Sequence, residues 1–149
     1  MDLFERVSED IKTAMKAKDK VALETLRNIK KVFLEAKTAP GANDTLTDAD
    51  ALKIIQKLVK QRKESAAVYT QNNRPELAEN ELAEAAVLEV FMPKQLSGEE
   101  LETVLKAIIA QVGAASPADM GKVMGVATKQ LAGQADGRAI SEAVKKLLQ

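Results

Sequence analysis

Two short segments hold the residues best suited to chemistry. Asp119-Met120-Gly121-Lys122-Val123-Met124-Gly125 and Gly133-Gln134-Ala135-Asp136-Gly137-Arg138 repeat one arrangement, an acid followed closely by a glycine and a cation. Each stands where a helix should begin. At about 100° per residue, Met120, Val123, Met124, Ala127 and Leu131 share one core-facing arc. Gly121, Gly125 and Ala132 form a strip beside it, with Lys122 and Lys129 just beyond. A glycine inside a helix costs about 1 kcal/mol against alanine, so two of them four residues apart need a reason. One is a smooth surface where a phosphate–sugar backbone can come close, with the lysines as counter-charges. The other is close packing of a second helix, and spacing alone leaves both open.

The following helix places Ile140, Val144, Leu147 and Leu148 inward and Arg138, Ser141 and Lys145 on a separate flank. Its glycine-preceded start, at Gly137, could hold an anion on free N–H groups. Asp136, as the cap, should occupy some of those groups and add negative charge. Arg138 is therefore the better anion ligand, with ordinary solvated charge as the plain alternative for Arg138 and Lys145. Further upstream, Lys53, Lys57 and Lys60 fall opposite an apolar stripe and read as a solubilising face. Arg62 falls inside that stripe, near Leu58 and Tyr69. Glu79, Glu81 and Glu84 on the next helix are its natural ion-pair partners.

Catalysis finds little to work with. The chain has no histidine and no cysteine, which removes the usual acid–base residue, the thiol nucleophile and thiolate metal sites. Gly121-Lys122 lacks the rest of a P-loop. Ser97 and Ser116 read as helix caps, and a di-iron bundle would need Glu-x-x-His. No metal, cofactor or catalytic residue is expected. With 22 basic and 22 acidic residues the formal charge is zero, so any polyanion site must be a local patch. No signal-peptide or membrane-spanning run is present in the sequence, and the expected setting is cytoplasmic, without membrane contact.

Those residues must be positioned by helices. Aromatics make up 3% of the 149 residues and there is no Trp, a composition that favours helix over sheet. Leu3, Phe4, Val7, Ile11 and Met15 give a first helix over 2–17. Asp19 caps a second, with Ala22, Leu26, Ile29, Phe33 and Ala36 inside. After the turn residues 40–44, Thr47 starts a long third helix. Pro75 opens a fourth at its first position, which runs through Leu82, Ala85 and Leu88 until Pro93 stops it. Ser97 and Glu100 fit a capping box for a fifth helix, closed by Gly113. The sixth and seventh helices follow, capped by the Ser116–Asp119 segment and by Asp136. The fold expected is all-α: a four-helix N-terminal domain of helical hairpins, residues 1–93, and a compact three-helix domain, residues 96–149.

Over essentially its whole length the sequence resembles the YqeY family of small bacterial cytosolic proteins. The resemblance rests on Asp119–Gly125, on Ala135–Arg138, on the leading helices and on Phe91-Met92-Pro93, where Tyr-Leu-Pro is usual. The last third is similar to the tail domain of GatB, a subunit of the glutamine-dependent tRNA amidotransferase. In that enzyme the tail helps hold tRNA, while activation and glutamine hydrolysis occur elsewhere. The resemblance thus implies tRNA contact through Gly121, Lys122, Gly125, Gly137 and Arg138, and Lys129 and Lys145 extend the same two faces. It implies no transfer of chemistry. Three functions follow in order: a non-catalytic tRNA-binding accessory protein, a protein adaptor for an amidotransferase or aminoacyl-tRNA synthetase, and last a carbon–nitrogen ligase using glutamine as amide donor.

Overall fold

The computed structural model describes residues 1–149. Seven α-helices follow one another: α1 (Leu3–Ala17), α2 (Lys20–Thr38), α3 (Asp48–Gln71), α4 (Pro75–Glu89), α5 (Gly98–Val112), α6 (Met120–Gln130) and α7 (Gly137–Leu147). There is no strand, and one 3-10 turn, Pro117–Asp119, leads into α6. The all-α expectation holds. The chain divides into two compact units, Met1–Met92 and Pro93–Gln149.

In the first unit, Asp2 begins α1 with a reciprocal box. Its carboxylate accepts the Glu5 N–H at 2.8 Å, and the Glu5 carboxylate accepts the Asp2 N–H at 3.1 Å. Lys18 ends the helix in the left-handed region, at φ 56°. Asp19 then accepts the Ala22 N–H at 3.1 Å. Two residues thus reverse the chain, and α1 packs on α2. Val7, Ile29, Phe33, Ile55, Leu88 and Phe91 anchor a core to which all four helices or their ends contribute. The first stripe is displaced at one position: Ala14 is buried and Met15 is 53% exposed. Bulk at that end of α1 is thereby left in water.

Helices α3 and α4 continue past this core. Beyond Leu58 on one and Leu88 on the other, their buried apolar residues are the alanines Ala66, Ala78 and Ala85. The result is a two-helix arm with a seam of methyl groups. Leu82, expected on the inner stripe of α4, is instead 50% exposed, because the alanine seam uses the face at Ala78 and Ala85. Arg62 lies on this arm as its position within the apolar arc implied. Its Nε is 3.5 Å from Glu84 and 3.8 Å from Glu81, yet it is buried and makes no hydrogen bond. Glu79 is exposed and takes no part.

The second unit begins with a short extended segment. The Leu96 N–H donates to the Gln134 carbonyl at 2.9 Å, and the Gln95 amide donates to the carbonyl of Gly133. Gly133 is buried with φ +77°, a conformation that glycine adopts without strain. It lets the α6–α7 turn fold under the entering chain. Ser97 and Glu100 form the expected capping box at 3.1 and 3.2 Å. Gly113 closes α5 at φ +70°. Leu101, Leu105, Ile108, Val123, Ile140 and Val144 make the centre of the core that joins α5, α6 and α7.

Candidate nucleic-acid interface

The outer face of α6 is set by its inner one. Val123, Ala127 and Leu131 are buried, with Met120, Met124 and Val126 packed partly against the same core. Rotation at about 100° per residue therefore turns Gly121, Lys122, Gly125 and Lys129 to solvent, and all four are exposed. A Cβ built on Gly121 or Gly125 would have no neighbour within 4 Å. Neither glycine makes room for α5 or α7, so the close-packing explanation has no partner within this unit. Ala132 does not extend the strip as expected: it lies beyond the end of α6 in the following turn and is half-buried. Exposed Thr128 continues the strip instead, and its hydroxyl donates back to the Met124 carbonyl at 2.7 Å. Thr128 stands seven residues after Gly121, two helical turns on along the same line, so its spacing marks it although its side chain is not the smallest.

Asp119 works differently from a forward cap. Its carboxylate accepts the N–H groups of Ala115, at 3.0 Å, and Ser116, at 3.3 Å, closing the turn behind α6. Those backbone hydrogen bonds, the Ala115 bond foremost, hold its carboxyl below the ordinary range, and Lys122 adds a smaller attraction. The acid preceding the glycine and lysine is thus a turn residue that also borders the cationic face. No hydrogen bond or ion pair engages the Lys122 or Lys129 ammonium.

On α7, Asp136 accepts the Arg138 N–H at 3.2 Å, so part of the helix start is occupied as the cap assignment requires. Gly137 is exposed with open space where a Cβ would be. Ile140, Val144 and Leu148 are buried, which sends Arg138 and Lys145 to an exposed flank. Glu142 lies on that flank too, and its carboxylate accepts from Arg138 Nε at 3.2 Å. The pair is highly exposed, and exposed pairs of this kind contribute about 0.5 kcal/mol. Exchange of Glu142 for a phosphate is therefore inexpensive. Helices α6 and α7 pack on each other, and their cation-bearing faces both turn away from the core they share. Between them these two faces offer four flexible cations, three glycines without overlying groups and no aromatic ring, a chemistry of charge and bare backbone. They can meet an anionic backbone but have nothing with which to read bases by stacking. No group of three or more acidic residues is placed to hold a metal ion.

The chain matches the family model described as Yqey-like protein over residues 4–148. Among curated relatives, "Altered inheritance of mitochondria protein 41, mitochondrial" of Pyrenophora tritici-repentis is 26% identical over 96% of this chain and 79% of its own length. The protein of the same name from Kluyveromyces lactis is 25% identical over 97% and 75%. That from Vanderwaltozyma polyspora is 31% identical, over 69% of this chain and 56% of the relative. These names overturn the cytoplasmic expectation, since the similar proteins are called mitochondrial, and they lend no support to a bacterial source. The expectation failed for a physical reason. No helix is long and apolar enough to cross a membrane, and that observation does not separate one compartment from another. With an all-helical fold, the Asp119–Arg138 segments and a match from residue 4 to residue 148, the chain belongs to the YqeY family.

Proposed function

We propose that this protein is a non-catalytic accessory protein that binds tRNA through the outer faces of α6 and α7, in a mitochondrial setting. One observation carries the reading: Gly121 and Gly125 sit inside a helix, exposed, with open space where side chains would be. Gly125, in the middle of α6, costs the helix about 1 kcal/mol against alanine, Gly121 in its first turn costs less, and no neighbour packed against either glycine repays that cost. Close approach of an outside backbone is a use for that smoothness, and Lys122, Lys129, Arg138 and Lys145 supply the charge. Binding through so few cations is weak, roughly micromolar at low salt, and weakens as salt rises.

The test is a titration of unmodified tRNA at two salt concentrations, with wild type and the double variant Lys122→Ala, Arg138→Ala. Binding by wild type with a clear loss in the variant supports the reading. Equal binding by both removes this surface from it.

A second reading, a protein adaptor for an amidotransferase or synthetase, is favoured by the α3–α4 arm. It carries Val68, Leu77 and Leu82 exposed well away from the core. Absence of saturable RNA binding together with a stable complex with such an enzyme would favour it. Glutamine hydrolysis by the purified chain would instead point to the ligase.

A further inference from the structure

A second cationic surface lies in the first unit, on α2. Its buried face is Leu26, Ile29 and Phe33; Arg27 and Lys31 stand exposed on the outer face, and half-buried Lys30 and Lys37 border the core on the side of α1. None of these four cations makes an ion pair with a carboxylate. Two of them are held in place all the same: Lys37 Nζ lies 4.2 Å and Lys30 Nζ 5.9 Å from the centroid of the Phe4 ring. Such contacts contribute about 0.5–1 kcal/mol at exposed sites. They fix the two ammonium groups without neutralising them. Beside them runs an open groove of about 520 Å³ lined by Arg27, Lys30, Lys31, Leu34, Glu35 and Thr38. Arg27 and Lys31, one turn apart, stand about 6 Å from each other along the axis. Glu35 is the single carboxylate lining the groove.

We propose that this face of α2 is an RNA phosphate-backbone site, separate from the one on α6 and α7. Charge complementarity chooses the occupant: unneutralised cations in two rows favour a polyanion whose charges recur at short intervals. An anionic membrane would need an apolar face to insert as well. The apolar face of α2 is consumed by the core, Phe4 is half-buried against lysines, and Leu34 is the one large apolar side chain exposed on that side. RNA needs only the cations. The ligand class is shared with the function proposed above, but the residues are not, so either surface can fail without the other.

The test uses the full chain, an in-vitro transcribed tRNA and, separately, vesicles containing an anionic phospholipid. Arg27→Ser with Lys31→Ser alters two exposed side chains without partners, and helical content by circular dichroism checks that the fold persists. The expected result is a five- to tenfold loss of RNA affinity near 100 mM salt. The plot of log affinity against log salt should be shallower by about 1.5. The Lys122→Ala, Arg138→Ala variant, measured alongside, reports on the other surface. RNA affinity and salt slope unchanged in the α2 variant would overturn the proposal. So would vesicle binding that depends on Arg27 and Lys31 when RNA binding does not.

Discussion

At Gly121 and Gly125 two physical demands point in opposite directions, which makes them the best single positions to test. Gly121→Ala and Gly125→Ala add a methyl group to open space and remove a backbone-entropy cost. Gly125→Ala, in mid-helix, should stabilise the protein by about 0.5–1 kcal/mol, and Gly121→Ala, in the first turn of α6, by less, both read as a rise in thermal midpoint. If an RNA backbone approaches this strip, the same changes should weaken tRNA binding. A rise in stability with unaltered binding would leave the glycines without the use proposed. Arg62 is a different case, because its side chain is 22% exposed and its Nε has carboxylates nearby but no acceptor. Burial, foremost, pushes the Glu84 carboxyl above its usual range, Arg62 opposes this, and Glu81 and Glu24 reinforce it. Arg62→Ala leaves these carboxylates without their cation and should cost about 1–2 kcal/mol in denaturant unfolding. Because the folded Glu84 binds its proton more readily than the unfolded one, its contribution grows more favourable as pH falls through its raised pKa. Glu84→Gln should flatten that part of the stability profile.

Among the elements, helix starts were readable in advance and helix surfaces less so. Asp19, Thr47, Ser97 and Asp136 each accept the backbone bond that their residue type and place implied, since a cap is decided by a few neighbouring residues. The Asp2–Glu5 box obeys the same rule. Met15 and Leu82 were misplaced because a stripe read from one helix does not know where its neighbour stops. The phosphate face on α2 was hidden for a related reason. Its cations alternate with Glu24 and Glu35 in sequence, and only the fold shows that none is paired and that Phe4 of α1 lies beneath two of them. The caps also set the acid behaviour of the second unit. Backbone bonds at Ser97 hold the Glu100 carboxyl low, and those at Ala115 and Ser116 do the same for Asp119. Both contributions are complete above the unfolded carboxylate range, near 4, and disappear as pH falls through the depressed values. Amide exchange followed from pH 6 to pH 3 should show the starts of α5 and α6 loosening at the acid end, while the α3–α4 arm tightens as Glu84 takes up its proton.

For the molecule as a whole, each unit has its own centre: Ile29, Phe33 and Ile55 in one, Leu105, Val123 and Ile140 in the other. Leu105→Ala should cost about 2–4 kcal/mol and lower exchange protection throughout Pro93–Gln149. Amides of Met1–Met92 serve as the internal comparison. The zero formal charge conceals how charge is distributed. Helix α4 has five glutamates and no cation, whereas α2 has five cations and two carboxylates. Net charge therefore says little about what this protein can bind, and fields local to single helices say more.

The methyl-lined seam of the α3–α4 arm has a consequence of its own. Ala66, Ala78 and Ala85 remove little apolar area from water compared with the leucines and phenylalanines nearer the base, so the hairpin is held most loosely at its far end. It should open like a zip from Asn72-Asn73, where Asn73 already turns through φ 57°. A protease offered the native protein would then nick first at that tip, releasing neither half while the base of the hairpin stays clasped.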